Sequence, residues 1–140
     1  MTPGNLVEWK NPNGADLGRP FLYYIRILSP RGELGYVGKA SHRSRLSNYK
    51  RNVERLFAGE TKRPNTSGAN PHNERYRYVH GKVAEAFMQG WQVEHIVLRN
   101  VAPAHLAEEE QREIRQRNSS YPHGMNNGPG FSIEEFKVGD

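Results

Sequence analysis

The distribution of apolar and polar residues along the chain predicts a β-hairpin followed by a helix. Residues 22–28 are rich in β-branched and aromatic side chains, and turn residues separate them from a second extended run at 34–38. Apolar side chains spaced three and four apart then predict a helix over about 42–58. Ser41 is placed to cap this helix, and Gly59 to end it.

The second half of the chain predicts two more helices and one more strand. A helix over about 74–89 ends at Gly90, and the apolar run 91–98 is typical of a strand. Pro103 suits the first turn of a third helix that ends near Arg117. The order β-β-α-α-β-α predicts an α/β fold of the α+β type, with a small, mainly antiparallel three-stranded sheet flanked by helices.

The chain has the length of one domain, since it contains 140 residues. Residues 1–20 are polar and rich in Asn, Gly and Pro, which indicates an N-terminal arm in the form of a loop or a short edge strand. The domain proper is expected at 21–130, with a C-terminal tail at 131–140. The composition of 60–73 is typical of a long functional loop.

Composition excludes several classes of protein. The chain has no Cys, which rules out disulfide scaffolds, thiolate zinc sites and a Cys nucleophile. Its six His include no pair at the spacing of a local metal site, and no phosphate-binding or dinucleotide-binding glycine motif occurs, so no nucleotide cofactor is expected. The absence of a long apolar run or signal peptide predicts no membrane partner and a cytoplasmic, intracellular location.

Positive charge is concentrated in one segment. Between Lys39 and Arg63 lie eight basic side chains and two acidic ones, in a chain whose net charge is +5. Such a cationic stripe is typical of a protein that binds a polyanion, because neutralising phosphates releases condensed counterions. The alternative is a basic helix that simply faces solvent.

One carboxylate interrupts an apolar helical stripe. Leu106, Glu110 and Ile114 are four residues apart and therefore share one face of the third helix. Burying a carboxylate is costly without a partner, so Glu110 indicates a metal ion or an Arg beside it. The alternative is a solvated acidic run that complements the helix dipole.

Phenols and a guanidinium form a second group of candidates. Arg45 and Tyr49 are one helical turn apart, and Tyr23, Tyr24 and Tyr36 lie on the two hairpin strands. An Arg stabilises charge on a phosphate, and a Tyr orients or activates water. Taken singly, each Tyr also fits a packing role.

Together these residues resemble the GIY-YIG nuclease family, whose members cut DNA with a small mixed α/β domain. The strings FLYYI at 21–25 and YVGKA at 36–40 look like its two signatures. Arg45, Glu110 and Asn126 are similar to its arginine, metal-binding glutamate and closing asparagine, although Arg43 and Asn127 are adjacent alternatives. The resemblance spans Phe21 to about Asn127, and the short chain with its 60–73 insertion looks similar to compact phage and restriction members.

The resemblance implies a metal-dependent endonuclease. One Mg²⁺ or Mn²⁺ would be held by Glu110 and phosphate oxygens. Tyr23 would be the general base or would position the water, with its pKa lowered by nearby cations such as Lys39, while Tyr36 and Tyr49 would hydrogen-bond the water or phosphate. Arg45 would stabilise the developing charge and Asn126 would support the site. The residues expected to hold the DNA backbone are Arg43, Lys50, Arg51, Arg55, Lys62 and Arg63.

Other functions remain as alternatives at this point. The nuclease could serve as a phage or restriction enzyme, a toxin or a repair enzyme. From another class, the chain could be an inactive nucleic-acid-binding module of the same fold. The expected partner is double-stranded DNA, and cutting both strands would suit a homo-oligomer.

Overall fold

The computed structural model describes residues 7–60 and 75–136. The predicted residues Lys62 and Arg63, and nearly all of the 60–73 loop, lie outside them. In chain order the elements are strand β1 (Trp9–Lys10), β2 (Phe21–Ser29), β3 (Gly32–Ala40), helix α1 (Ser44–Phe57), α2 (Tyr78–Gln89), β4 (Gln92–Asn100) and α3 (Leu106–Arg117). Short 3-10 turns at Pro103–His105 and Ile133–Glu135 complete the set.

The sheet is mixed and contains four strands in the order β1-β4-β2-β3. The predicted hairpin is confirmed, since β2 and β3 pair antiparallel, and β4 pairs antiparallel with β2. The prediction of three strands is wrong, because β1 adds a parallel edge strand beside β4. The α+β class and the interpretation of the arm as a short edge strand are confirmed.

Helices cover both faces of the sheet. Alternate residues of β2, from Phe21 to Ile27, face a core built with the apolar sides of α1 and α2. On the other face, Tyr24 and Val37 pack against Ile114 of α3. The hairpin is therefore buried on both sides, which fixes the direction of its side chains.

Two helix starts differ from the predictions. Ser41 is not the cap of α1: the capping position is Arg43, whose side chain makes no capping bond, and the backbone N–H of Ser44 donates to His42 Nδ1 at 3.3 Å. The helix predicted from 74 begins at Tyr78, because Tyr76 forms an antiparallel bridge with Phe131 through backbone bonds of 2.7 and 2.9 Å. This bridge keeps the chain extended up to Arg77. The expected ends of α1 and α2 are confirmed, with Gly59 and Gly90 in the left-handed region.

The free edge of β3 is closed by the chain that follows α3. The backbone N–H of Met125 donates to the carbonyl of Gly35 at 2.8 Å. The Asn126 amide makes two further bonds to the backbone of Val37, each 2.8 Å long. An open strand edge attracts other chains, so these contacts both protect β3 and hold it in place.

In the part of the chain described here, every helix is too short or too polar to cross a bilayer.

Candidate active site

A cleft of about 500 Å³ opens at the end of the hairpin, away from its turn. It receives residues from β2, β3, the start of α1 and the start of α3. The predicted site residues that line it are Tyr23, Tyr36, Lys39, Arg45 and Glu110. The remaining lining residues are Ala40, Ser41, His42, Ser44, Asn48 and Leu106. Four elements thus bring together five side chains that are far apart in sequence.

A glycine makes room for the first tyrosine. Gly38 lies directly opposite Tyr23 in the hairpin register, and a Cβ atom at Gly38 would overlap the Tyr23 ring. Tyr36 lies opposite Ile25 and therefore shares this face of the sheet. The glycine of the YVGKA string thus lets the Tyr23 ring lie across β3, 6.5 Å from the ring of Tyr36.

Tyr24 lies outside the cleft. It points to the opposite face, where its hydroxyl donates to Glu33 at 2.9 Å and the Arg117 guanidinium covers its ring at 4.2 Å. Burial, together with Glu33, raises the pKa of Tyr24 to about 12. This tyrosine has a packing role.

Tyr49 reaches the cleft only through other residues. It is fully buried and is not a lining residue, although it was predicted to contact water or phosphate. Its hydroxyl lies 2.6 Å from that of Tyr23. It also accepts a hydrogen bond of 3.3 Å from Arg77, whose other terminal nitrogen donates to Tyr36 at 2.9 Å.

Burial keeps the phenols of Tyr23 and Tyr49 protonated. It raises the pKa of Tyr23, Tyr36 adds to the effect, and the Arg45 and Arg77 charges oppose it. Burial also raises the pKa of Tyr49 well above its ordinary value. The prediction that cations lower the pKa of Tyr23 is therefore wrong for this state, because desolvation outweighs them.

Of the two candidate arginines, Arg45 and Arg43, the structure places one in the cleft. Both side chains are exposed, but only Arg45 lines the cleft. The backbone N–H of Arg43 instead donates to the carbonyl of Leu17 at 3.1 Å, which ties the N-terminal arm to the start of α1. The geometry thus favours Arg45 as the guanidinium of the site.

Glu110 has the cationic partner that its position demands. Its side chain is 13% exposed, and its Oε1 lies 3.0 Å from the Lys39 Nζ. The neighbouring Glu113 is held instead by two arginines, Arg99 at 2.6 Å and Arg117 at 2.8 Å. Of these two carboxylates, Glu110 is the one that faces the cleft.

The donor set around Glu110 fits a cation that keeps much of its own water. Within the described residues, no group of three or more His, Cys, Asp or Glu side chains could enclose a metal ion. Mg²⁺ commonly uses one or two carboxylates and completes its shell with water and substrate phosphates. A single carboxylate at the mouth of an open cleft is suited to that arrangement and not to a closed zinc site.

Asn126 is a structural support for the strand that carries Tyr36 and Lys39. Its Oδ1 accepts from the N–H of Val37 at 2.8 Å and from the Ser119 hydroxyl at 2.6 Å, while its Nδ2 donates to the Val37 carbonyl. Asn126 is buried, whereas Asn127 is exposed and adopts a left-handed backbone. These bonds identify Asn126 as the amide that closes the domain.

Comparison with known proteins adds no relative. No family model matches the chain, and no curated protein or solved structure matches it. The functional interpretation therefore depends on the geometry.

Four of the six predicted backbone-binding residues lie in the described part of the chain, on α1 or just before it. Arg43, Lys50 and Arg51 are exposed along α1, and Arg55 is partly buried with a bond of 3.3 Å to Asn52. The described part of the stripe thus leads away from the cleft along one helix.

Two residues near the site were not among the predicted site residues. Arg77 looks like any basic residue beside a polar loop, yet it bridges two phenols. Trp9 lies in the N-terminal arm, and its ring packs edge-on against Tyr23 at 5.3 Å and Tyr49 at 5.7 Å. The apolar group Leu6, Val7 and Trp9 was the hint in the sequence that this arm packs on the domain.

Proposed function

We propose that this chain is a metal-dependent DNA endonuclease that hydrolyses phosphodiester bonds. The observation that carries the proposal is the composition of the cleft. Tyr23, Tyr36 and Arg45 approach it from one side, and Lys39 and Glu110 from the other. Phenols, a guanidinium and a carboxylate around one space are the groups that phosphate-ester hydrolysis uses.

The metal site would be formed by Glu110 together with phosphate oxygens of the DNA. A divalent cation bound there supplies a Lewis acid that polarises the phosphodiester. Lys39 holds Oε1 of Glu110, so a divalent cation bound there would compete with Lys39 for the carboxylate. A released Lys39 would be able to interact with a phosphate oxygen.

The chain's own residues would carry the remaining steps. A water held by a tyrosine oxygen in the cleft attacks phosphorus, and the bond to the 3′ oxygen breaks as the new bond forms. The base is a cleft tyrosine that first releases its own proton to solvent, which the charges of Arg45 and Arg77 favour at Tyr23. The water's proton then passes to this tyrosinate, and the departing oxygen takes a proton from solvent. Arg45 stabilises the charge that builds on the phosphate, because its guanidinium donates in the planar geometry that phosphate oxygens prefer.

The substrate proposed is double-stranded DNA, bound by its backbone along α1. The exposed side chains of Arg43, Lys50 and Arg51 present positive charge without base-specific geometry. Contacts of this kind set affinity and its dependence on salt, and they leave the chemistry to the cleft.

The test is plasmid cleavage by the purified chain with Mg²⁺ or with EDTA. Wild-type protein should nick or linearise supercoiled plasmid only with the metal. Glu110→Gln should lose at least about 100-fold in rate, since it removes the metal ligand. Glu108→Gln is the matched control, because Glu108 lies on the same helix, is 66% exposed and pairs only at the surface.

Equal cleavage in EDTA, or full activity of Glu110→Gln, would overturn the proposed mechanism. DNA binding without cleavage under any divalent metal would instead support the inactive binding module.

A further inference from the structure

The Arg77 guanidinium lies within a tyrosine cluster formed by Tyr23, Tyr36 and Tyr49. Arg77 directly precedes α2 and is partly buried. Its bonds go to the hydroxyls of Tyr36 and Tyr49, and its guanidinium carbon lies 5.9 and 5.5 Å from their ring centres. No carboxylate of the described residues pairs with it. A desolvated cation is costly to hold in this way, so its position calls for an explanation beyond packing.

The hydrogen-bond partners of Tyr49 determine which hydroxyl donates to which within the cluster. Tyr49 accepts from Arg77, and its own proton has one acceptor among the described residues, the oxygen of Tyr23. If Tyr23 donated to Tyr49 instead, the buried Tyr49 proton would have no acceptor. The arrangement that satisfies every group runs from Arg77 to Tyr49, then to Tyr23, whose proton is left for the cleft.

A second path of hydrogen bonds from Arg77 to the cleft has a single step. Arg77 donates directly to Tyr36, which also lines the cleft. The Tyr36 proton is therefore left for the cleft as well. One guanidinium is thus linked to the two phenols that line the cleft, directly to Tyr36 and through Tyr49 to Tyr23.

We propose that Arg77 is a positioning residue for the hydrolysis, which orients the hydroxyls of Tyr23 and Tyr36 towards the cleft and stabilises the phenolate that forms there. The inference rests on the proposed function for its catalytic consequence. The effect of the Arg77 charge on the phenols does not depend on that function, because it involves only residues of this chain. Burial by itself would lower the pKa of Arg77, but the oxygens of Tyr49 and Tyr36 raise it above its ordinary value, so the cation persists.

Other charged or titratable groups face the same cluster and are held constant in the test. Arg45 on α1 acts on Tyr23, and the His80 ring on α2 lies 5.2 Å from that of Tyr49. Lys39 and Glu110 lie across the cleft as an ion pair. Among these groups, only Arg77 donates to two of the phenols.

The first experiment follows tyrosine ionisation by ultraviolet absorbance, without DNA or metal. Arg77→Gln should move the ionisation of Tyr23 upward by about one pH unit, because it removes a cation whose charge opposes the effect of burial on that phenol. The Tyr23 contribution is isolated by subtracting the titration of Tyr23→Phe in each background. Arg75→Gln is the matched control, since Arg75 lies two residues away and its side chain bonds Gly130 and Glu135.

Unchanged titration of Tyr23 in Arg77→Gln would overturn the inference. If that variant does not fold, Arg77→Lys keeps the charge but loses the two-pronged geometry. It should keep the Tyr23 titration within a few tenths of a pH unit of wild type, and an upward shift of about one pH unit would also overturn the inference.

The second experiment measures plasmid cleavage against pH. In Arg77→Gln the rising limb of kcat should move up by about one pH unit, which lowers kcat about tenfold below that limb, with KM for DNA nearly unchanged. A uniform loss of kcat with the limb in place would show that Arg77 only supports packing. If wild-type protein cleaves nothing, the proposed function fails, while the tyrosine titration still decides the role of Arg77.

Discussion

The closure of the β3 edge by Asn126 leads to a quantitative prediction. Asn126→Ala removes three hydrogen bonds, from the N–H and carbonyl of Val37 and from the Ser119 hydroxyl. Both partner residues are almost fully buried. A buried polar group left unpaired costs about 1–3 kcal/mol. Water that enters the space of the lost amide can bond to these groups, which favours the lower end of that range. Three lost bonds at about 1 kcal/mol each should therefore lower the free energy of unfolding by about 3 kcal/mol.

Urea unfolding followed by tryptophan fluorescence would measure this change in free energy. Thermal unfolding should show a Tm lower by about 10 °C. Asn127→Gly is the control, because Asn127 is exposed and its left-handed backbone suits glycine. Cleavage per folded molecule should fall in Asn126→Ala as well, since Tyr36 precedes Val37 directly. A loss below about 1 kcal/mol would refute the assignment of Asn126 as the support of β3.

Three further predictions concern the surroundings of the site. Gly38→Ala should lower the free energy of unfolding by about 1–3 kcal/mol and reduce cleavage, because its Cβ would displace Tyr23; normal activity would contradict this. Burial lowers the pKa of His95 from 6.5 to about 4, so the folded state resists protonation and its stability falls as pH drops below about 6.5. Urea unfolding should show a loss of about 2 kcal/mol between pH 7.5 and 5, which His95→Phe abolishes. Lys50→Ala should reduce the slope of log affinity for DNA against log salt by about one and leave kcat unchanged. Arg31→Ala, in the distant hairpin turn, should leave that slope unchanged.

The local elements of this fold are largely predictable because their patterns are short-range. The β-branched and aromatic run Leu22–Leu28 predicts a strand, and the glycines after α1 and α2 end those helices through their backbone conformation. Glu110 stands out because a carboxylate in an apolar helical stripe needs a partner. Each of these signals lies within a few residues of the feature it predicts.

The features that were missed depend on contacts between distant parts of the chain. The two residues of β1 are too few to show a period, and they form a strand only because β4 accepts them. Arg77 lies 41 residues from Tyr36 and 28 from Tyr49. The bonds between Asn126 and Val37 span 89 residues. A single sequence contains no pattern that pairs such positions.

The location of the site on an edge strand links its stability to its chemistry. Tyr36 and Lys39 lie on β3, which has one neighbouring strand and depends on Asn126 at its other side. Substitutions that loosen β3 should therefore lower unfolding free energy and cleavage together. Substitutions of Glu110 or Arg45 should lower cleavage with little change in stability, because their groups face the open cleft. The two classes separate in a plot of activity against stability, and that separation distinguishes residues that support the site from those that act in it.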